Sequence, residues 1–462
     1  MSEVLLTHSN HLFNDDKQVA KMQPYPPLQP LLAAAALRSA GISIAFCDVT
    51  FQEPGQAFEQ SLRDHSPQLV VVCEDDFNFL SKMCLGRNRE VAFSMAQVAK
   101  AAGHVVAVHG PDSTDHIEAY LNAGFDYVLV GEVENTIVDL AQQWRPSEIP
   151  GLAYYDQKTG SVRYTPPRPL NSKLDSLPLP AWDLVDMDQY RQAWLGAHGY
   201  FSLNMVSSRG CPFHCNWCAK PTYGNHYHVR SPRLVAEEMR YLKTAFRPDH
   251  IWFADDIFAL SPTWAADFAN AVETLDARIP FKMQSRCDLM TRDSVTSLKR
   301  AGCSEVWMGA ESGSQQVLDA MEKGIRVEQI YRARAHLARH DIRACFFLQF
   351  GYLGEGWEDI MATIQMVRDT KPDDIGVSVS YPLPGTKFFN LVVGQMGKKV
   401  NWTHSGELAM MFQGAYSTAF YRELADALRL EVRNGAEPER IREAWEKVYQ
   451  LKGTAEVNGV LV

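Results

Sequence analysis

Twice along this chain, short apolar runs alternate with longer amphipathic stretches, and that beat limits the folds open to it. In the first pass Val4-Leu5-Leu6, Ile42 to Cys47, Leu69-Val70-Val71-Val72, His104 to Val108 and Tyr127 to Val130 read as strands. Helices fall between them, at Leu31 to Arg38 before Gly41 and around Glu90 to Ala102. Alternation of this kind predicts a doubly wound parallel sheet over residues 1–143. Such sheets bind ligands beyond the carboxyl ends of their strands. The candidate loops are therefore Thr7 to Asn14, Glu74 to Asn78 and His109 to Thr114.

Residues 144–195 break the rhythm with Thr165-Pro166-Pro167-Arg168-Pro169 and Leu177-Pro178-Leu179-Pro180, which predicts an extended linker packed between domains. The beat resumes over residues 196–400. Strands are expected at Phe201 to Val206, His250 to Ala254, Phe281 to Gln284, Glu305 to Met308, Ala344 to Leu348 and Asp374 to Val379. Six strands with intervening helices predict a full or partial βα barrel, whose active site lies at the carboxyl ends of its strands. Residues 401–462 read as mainly helical, at Thr418 to Arg433 and Pro438 to Leu451.

Inside the second unit, Cys211, Cys215 and Cys218 are spaced C-x3-C-x2-C directly after its first strand, with no fourth cysteine nearby. Four thiolates cap an iron–sulfur cluster as an electron carrier, whereas three leave one iron open to a substrate or cosubstrate. A zinc knuckle is the alternative, with His214, His226 or His228 as fourth ligand. The other six cysteines lie in apolar or strand-like surroundings and read as buried inert thiols. An odd total of nine argues against a disulfide framework.

Charge narrows the partners. With 45 basic and 55 acidic residues the net charge is −10, and no concentrated basic stripe marks a nucleic-acid interface. The apolar runs are too short to span a bilayer. Met1 to Leu6 lacks the basic start and long apolar stretch of a signal peptide, so a cytoplasmic protein is expected.

The cysteine loop, with Trp217 as the aromatic residue before the third thiol, resembles the radical S-adenosylmethionine (SAM) superfamily. The resemblance implies a [4Fe-4S] cluster on Cys211, Cys215 and Cys218, with SAM on the fourth iron and a 5′-deoxyadenosyl radical as the product of its reductive cleavage. Later strand ends carry matching segments. Phe253-Ala254-Asp255-Asp256 stands where the superfamily lines the SAM amino group, a helix N-cap being the plainer reading of either carboxylate. Arg286 is a candidate anchor for the SAM carboxylate, or a plain salt-bridge partner. Gly309-Ala310-Glu311-Ser312-Gly313-Ser314 implies that Glu311 and Ser312 face SAM, and Gly351 to Glu355 lies in the segment near the adenine. Tyr381 to Thr386 reads as a rigid turn.

With a doubly wound domain placed first, the chain is similar to the cobalamin-binding-domain subfamily. Pro24-Tyr25-Pro26-Pro27-Leu28 and Val130-Gly131-Glu132-Val133-Glu134-Asn135-Thr136 carry that likeness. It marks Gly110, Ser113, Gly131 and Glu132 as candidate cobalamin contacts. The D-x-H-x-x-G signature of histidine-ligated corrinoid proteins is absent, because Thr50 stands where Asp48 would require histidine. The segment Cys73 to Cys84 is unusually acidic and aromatic, suited to line the cofactor or the substrate or to plug the site.

The implied function is cobalamin-dependent methylation of an unactivated carbon in a small-molecule substrate. Its alternatives are radical dehydration, cyclisation, rearrangement or decarboxylation without the corrinoid, and a non-catalytic electron carrier. A flavodoxin or ferredoxin is the implied low-potential electron donor.

Overall fold

The computed structural model describes residues 3–143, 145–433 and 437–457, with side chains to residue 453 in the last helix. Met1 and Ser2 of the N-terminal run, and residues 458–462 of the expected helical tail, lie outside the described residues. The first sheet is built from β1 (Val4–Thr7), β2 (Ile44–Cys47), β3 (Leu69–Cys73), β4 (Val105–His109) and β5 (Tyr127–Leu129), all parallel in the order 2-1-3-4-5. Its strands are apolar on both sides because helices cover both. Leu5, Val70, Val72, Val106 and Val108 meet the helices Pro54–His65 and Gly86–Ala101. Their alternates Val4, Leu6, Leu69, Val71 and Ala107 meet Leu28–Ser39 and Val133–Gln143.

The proline-rich stretch does more than link. Its first part folds into β6 (Leu152–Asp156) and β7 (Ser161–Tyr164), an antiparallel hairpin that extends the first sheet beyond β5. Its last part is the helix Met187–His198, which buries Tyr190 and Trp194 between the two units. Pro166, Pro167, Pro169, Pro178 and Pro180 occupy the irregular chain between β7 and this helix, where no sheet or helix hydrogen bond is lost.

The second sheet begins with β8 (Ser202–Met205), and a two-stranded ribbon of β9 (Ser208–Arg209) and β10 (His228–Val229) closes the base of the cysteine loop. It continues through β11 (His250–Phe253), β12 (Phe281–Ser285), β13 (Cys303–Glu311), β14 (Arg343–Phe350) and β15 (Asp374–Val379). The six long strands are parallel in sequence order, and β8 and β15 remain edges, so the barrel is partial. Outward residues such as Met205, Phe253, Met283, Val306, Phe346 and Val377 join one large core with the covering helices. Inward alternates Trp252, Gln284, Trp307 and Phe347 are half-buried and line the open face.

After β15 the chain returns to the first unit. Trp402 accepts from the Gly86 amide at 2.8 Å through its carbonyl, and the Ser405 amide donates to Asp15 at 2.7 Å. Helices Thr418–Val432 and Pro438–Val457 then pack beside the sheet. No helix among the described residues is long and apolar enough to cross a membrane.

Trp194 ties three parts together: its indole N–H donates to the Pro24 carbonyl at 2.7 Å, and its ring lies against Tyr25 and Tyr200. Trp194→Ala should therefore cost about 3–5 kcal/mol of stability, seen as a lowered thermal midpoint, because it opens a cavity and orphans an acceptor.

Candidate active site

The cysteine loop leaves β9 through Gly210, at φ +75°, where a Cβ would stand 2.3 Å from the His226 carbonyl oxygen. Only glycine passes there. Lys220 stitches the loop from inside, donating to the carbonyls of Cys211 (3.1 Å) and Phe213 and to Asn225 (2.6 Å). Asn216 pins it to later strand ends. Its amide donates to Met321, its side chain donates to the Ala320 carbonyl at 2.7 Å and accepts from Tyr352 at 2.9 Å. The three thiols stay partly exposed, while the other six cysteines are buried. Among the described residues no three His, Cys, Asp or Glu side chains converge on a single-ion site, and His226 stacks on His228. Three soft thiols on one short loop suit an iron–sulfur cluster, and Arg286, 4.0 Å from the Cys215 sulfur and stacked 3.7 Å over the Phe213 ring, brings positive charge to it. Burial pushes the Cys218 thiol up to about 12 and raises Cys211, so loading metal must release protons.

The strand-end residues gather around this loop. Asp255 is buried and accepts from the Ser207 amide (3.1 Å) and hydroxyl (2.7 Å) and from the Ser208 hydroxyl (2.5 Å). Burial still lifts its carboxyl to about 6. Neither Asp255 nor Asp256 caps a helix; Asp256 pairs with Lys82, which reaches over from the segment after β3. Arg286 pairs with Asp288 at 2.9 Å and donates to the Lys323 carbonyl at 2.9 Å. Glu311 sits at φ +59° after a register shift in β13 and forms a buried ion pair with Lys323 at 2.6 Å. Ser312 is fully buried and exchanges a hydrogen bond with Thr363 at 3.0 Å.

At the facing carboxyl edge of the first sheet, the four residues marked for cobalamin take different parts. Gly110, at φ +151°, lets the β4 loop pass Glu74, whose Cβ a side chain there would meet at 2.7 Å. Ser113 turns inward and donates to the Gly110 carbonyl at 3.0 Å. Gly131 is in the left-handed region with open space around it. Glu132 is engaged by the protein itself, with Arg209 at 2.7 Å and the Asn171 amide at 2.5 Å. Arg209 also grips Glu134 at 2.5 Å. Burial would raise Glu134, but Arg209 outweighs it and holds the carboxyl below its usual range. His8 Nδ1, Glu74 Oε2 and Asp76 Oδ1 are buried at this edge without a hydrogen-bond partner. The unpartnered Glu74 and Asp76 oxygens are acceptors, a chemistry that fits the amide donors on the rim of a corrinoid.

Arg209, Lys82 and Lys323 are the site residues that sequence reasoning missed. Each acts through a partner distant in the chain, which no local motif encodes. The one signal was position: Arg209 stands two residues before the first thiol.

An α/β enzyme whose open three-thiol loop, on a partial barrel, faces the ligand edge of a doubly wound domain is the class these features define. Residues 205–367 match the model of the radical SAM superfamily. The chain is 29% identical over 321 residues to an uncharacterized methyltransferase of Pyrococcus horikoshii, covering 67% of this chain and 68% of that one. It is 26% identical over 380 residues to the hopanoid C-3 methylase of Methylococcus capsulatus, covering 78% and 68%. Its fold is that of the radical SAM methyltransferase TsrM from Kitasatospora setae, solved with cobalamin and a [4Fe-4S] cluster bound. The TM-score is 0.68 at 19% identity, over 86% of this chain and 75% of that one.

Gly210→Ala should leave the far-ultraviolet circular dichroism unchanged while iron incorporation on anaerobic reconstitution falls several-fold, as Cys211→Ala, Cys215→Ala and Cys218→Ala should also do. Glu355, folded back to accept from the Gly351 amide at 2.5 Å, gives a pH test. Burial lifts its carboxyl from 4.5 to about 8. Between those values the folded state keeps a proton that the unfolded state has lost, so its contribution is whole at low pH and disappears as pH rises to about 8. Thermal midpoints of the wild type should fall across that window relative to Glu355→Gln, and parallel curves would refute the assignment.

Proposed function

We propose that this protein is a radical SAM methylase that uses a [4Fe-4S] cluster, SAM and cobalamin to methylate an unactivated carbon of a small-molecule substrate. The observation that carries the reading is the Arg209 clasp, which holds the three-thiol loop directly against the carboxyl edge of the first sheet. Loaded, the cluster supplies the electron that splits SAM to methionine and a 5′-deoxyadenosyl radical, and cobalamin supplies the methyl group. The chain's residues bind and orient. Cys211, Cys215 and Cys218 hold the cluster. Asp255, already fixed by Ser207 and Ser208, and Asp256 offer carboxylate oxygens to the SAM ammonium. Arg286 answers its carboxylate, and Glu311 with Ser312 borders its polar remainder. Gly110, Ser113, Gly131 and Glu132 shape the corrinoid edge, the last two through backbone and docking. We place the enzyme in the cytoplasm, served by a flavodoxin or ferredoxin, without a nucleic-acid partner.

A second reading, radical chemistry without the corrinoid, draws on one observation. Phe77 and Leu80, after β3, are buried in the barrel's core, with Phe77 stacked on Tyr223 at 5.9 Å, so this segment fills space between the units. Anaerobic reconstitution with iron, sulfide and hydroxocobalamin separates the two. About one cobalt per chain, with SAM cleaved under dithionite, is the expected outcome; 5′-deoxyadenosine formed by a protein that takes up no cobalt would establish the second reading instead.

A further inference from the structure

We propose that the strap formed by residues 387–400 is the docking surface for the electron donor, a small acidic protein that carries one electron at a time; this rests on the cluster assignment above. The strap begins with the helix Lys387–Val392 and leads back to the first unit, where the Asn401 side chain donates to the Cys84 carbonyl at 2.9 Å. One side of it belongs to the site. The Phe388 amide donates to the Asn216 carbonyl at 2.9 Å, between the second and third thiols. Phe388 and Val392 are buried in a small core against which Trp217 and Met396 pack. An electron that reaches this helix is therefore one hydrogen bond from the loop that holds the cluster.

The other side faces water. Leu391, Val393 and Val400 are 57%, 46% and 48% exposed, three large apolar side chains left out within ten residues. The charge beside them has one sign. Between Thr386 and Gly406 the chain carries Lys387, Lys398 and Lys399 and no acidic residue, in a protein of net charge −10. Lys398 is exposed and pairs with no acid among the described residues. Lys387 and Lys399 meet Glu322 and Glu407 at 2.7 Å, but both lysines stay exposed, where such pairs hold weakly and a partner's carboxylates can share them. Exposed apolar side chains beside lysines suit a transient contact steered by charge, and the sign selects an acidic partner. Delivery of single electrons needs such a contact, because the spent carrier must leave. Two copies of this chain meeting here about a two-fold axis would oppose the same lysines, which disfavours a dimer on this face.

Anaerobically reconstituted enzyme should form 5′-deoxyadenosine from SAM with dithionite, and also with reduced flavodoxin or reduced ferredoxin. Lys398→Glu and Val393→Asp should keep the dithionite rate, which needs no docking, and lose about tenfold with the protein donor through a raised KM for that donor. Lys398→Arg should match the wild type. Salt raised to about 0.3 M should slow the wild type with the protein donor and leave the dithionite rate unchanged. Equal losses with both reductants overturn the assignment, because they place the two residues in the fold or the site. So do unchanged rates with the protein donor, or a wild type that accepts electrons from dithionite and from neither carrier. A dimer that Val393→Asp splits in sedimentation would give the strap to a second copy instead. No 5′-deoxyadenosine from the wild type with dithionite overturns the cluster assignment as well.

Discussion

The docking of the two units turns on one buried guanidinium. Arg209 leaves β9 two residues before the first cluster thiol and spends its side chain on Glu132 and Glu134, both from the first domain. Gln29 donates to Glu134 at 2.9 Å and accepts from Tyr223 at 3.0 Å, and the Tyr223 ring lies 5.5 Å from the guanidinium. Two carboxylates thus share one guanidinium, with the Asn171 amide, Gln29 and Tyr223 supplying the neighbouring hydrogen bonds. Buried pairs of this kind add little net stability over an apolar contact, but removing one partner strands the others, at a cost of about 3–5 kcal/mol. Their worth is in register. A slip between the domains would break the clasp, so the geometry that seats the cluster loop also sets where the first sheet's carboxyl edge points.

Much of the fold was legible because its signal is local. The runs at 69–72, 250–254 and 374–379 fall on β3, β11 and β15 within a residue or so, since buried parallel strands must be apolar throughout or at every second position. The thiol loop was legible for the same reason, its spacing lying within eight residues. The hairpin in 144–195 was obscured by the prolines beside it, although Asp156 to Gly160 is an ordinary turn signal between two β-prone runs. The pairs that organise the site were not legible. Arg209 with Glu134 spans 75 positions and Lys82 with Asp256 spans 174, and periodicity carries no information at that range.

Some buried hydrogen-bonding capacity is unmet at the first sheet's edge and in the cysteine loop. His8, Glu74 and Asp76 at the first sheet's edge and Trp217 in the cysteine loop all hold buried polar atoms without partners. Folded proteins satisfy nearly all such groups, and other unpartnered atoms, at Asn88, Trp182, Asn204 and Tyr421 among them, lie elsewhere in the fold. The same edge lifts its acids: burial raises Glu74 and brings Asp75 to about 6, even though Asp75 accepts from the Leu28 and Gln29 amides.

Between the two edges lies the inward face of the partial barrel, and its character bears on what can react there. Trp307 stacks on Phe347 at 4.9 Å, and Gly376 is glycine where a side chain would press on both rings, 3.0 Å from one and 3.4 Å from the other. Near the amino ends of the strands, Lys282 lies within 6.0 Å of the Tyr25, Trp194 and Trp252 rings, and burial lowers its ammonium despite Glu305. Flat aromatic walls with few polar anchors hold an apolar molecule by shape and orient it through a small number of contacts. A radical that attacks unactivated carbon needs that kind of restraint, because the chemistry itself distinguishes poorly among C–H bonds.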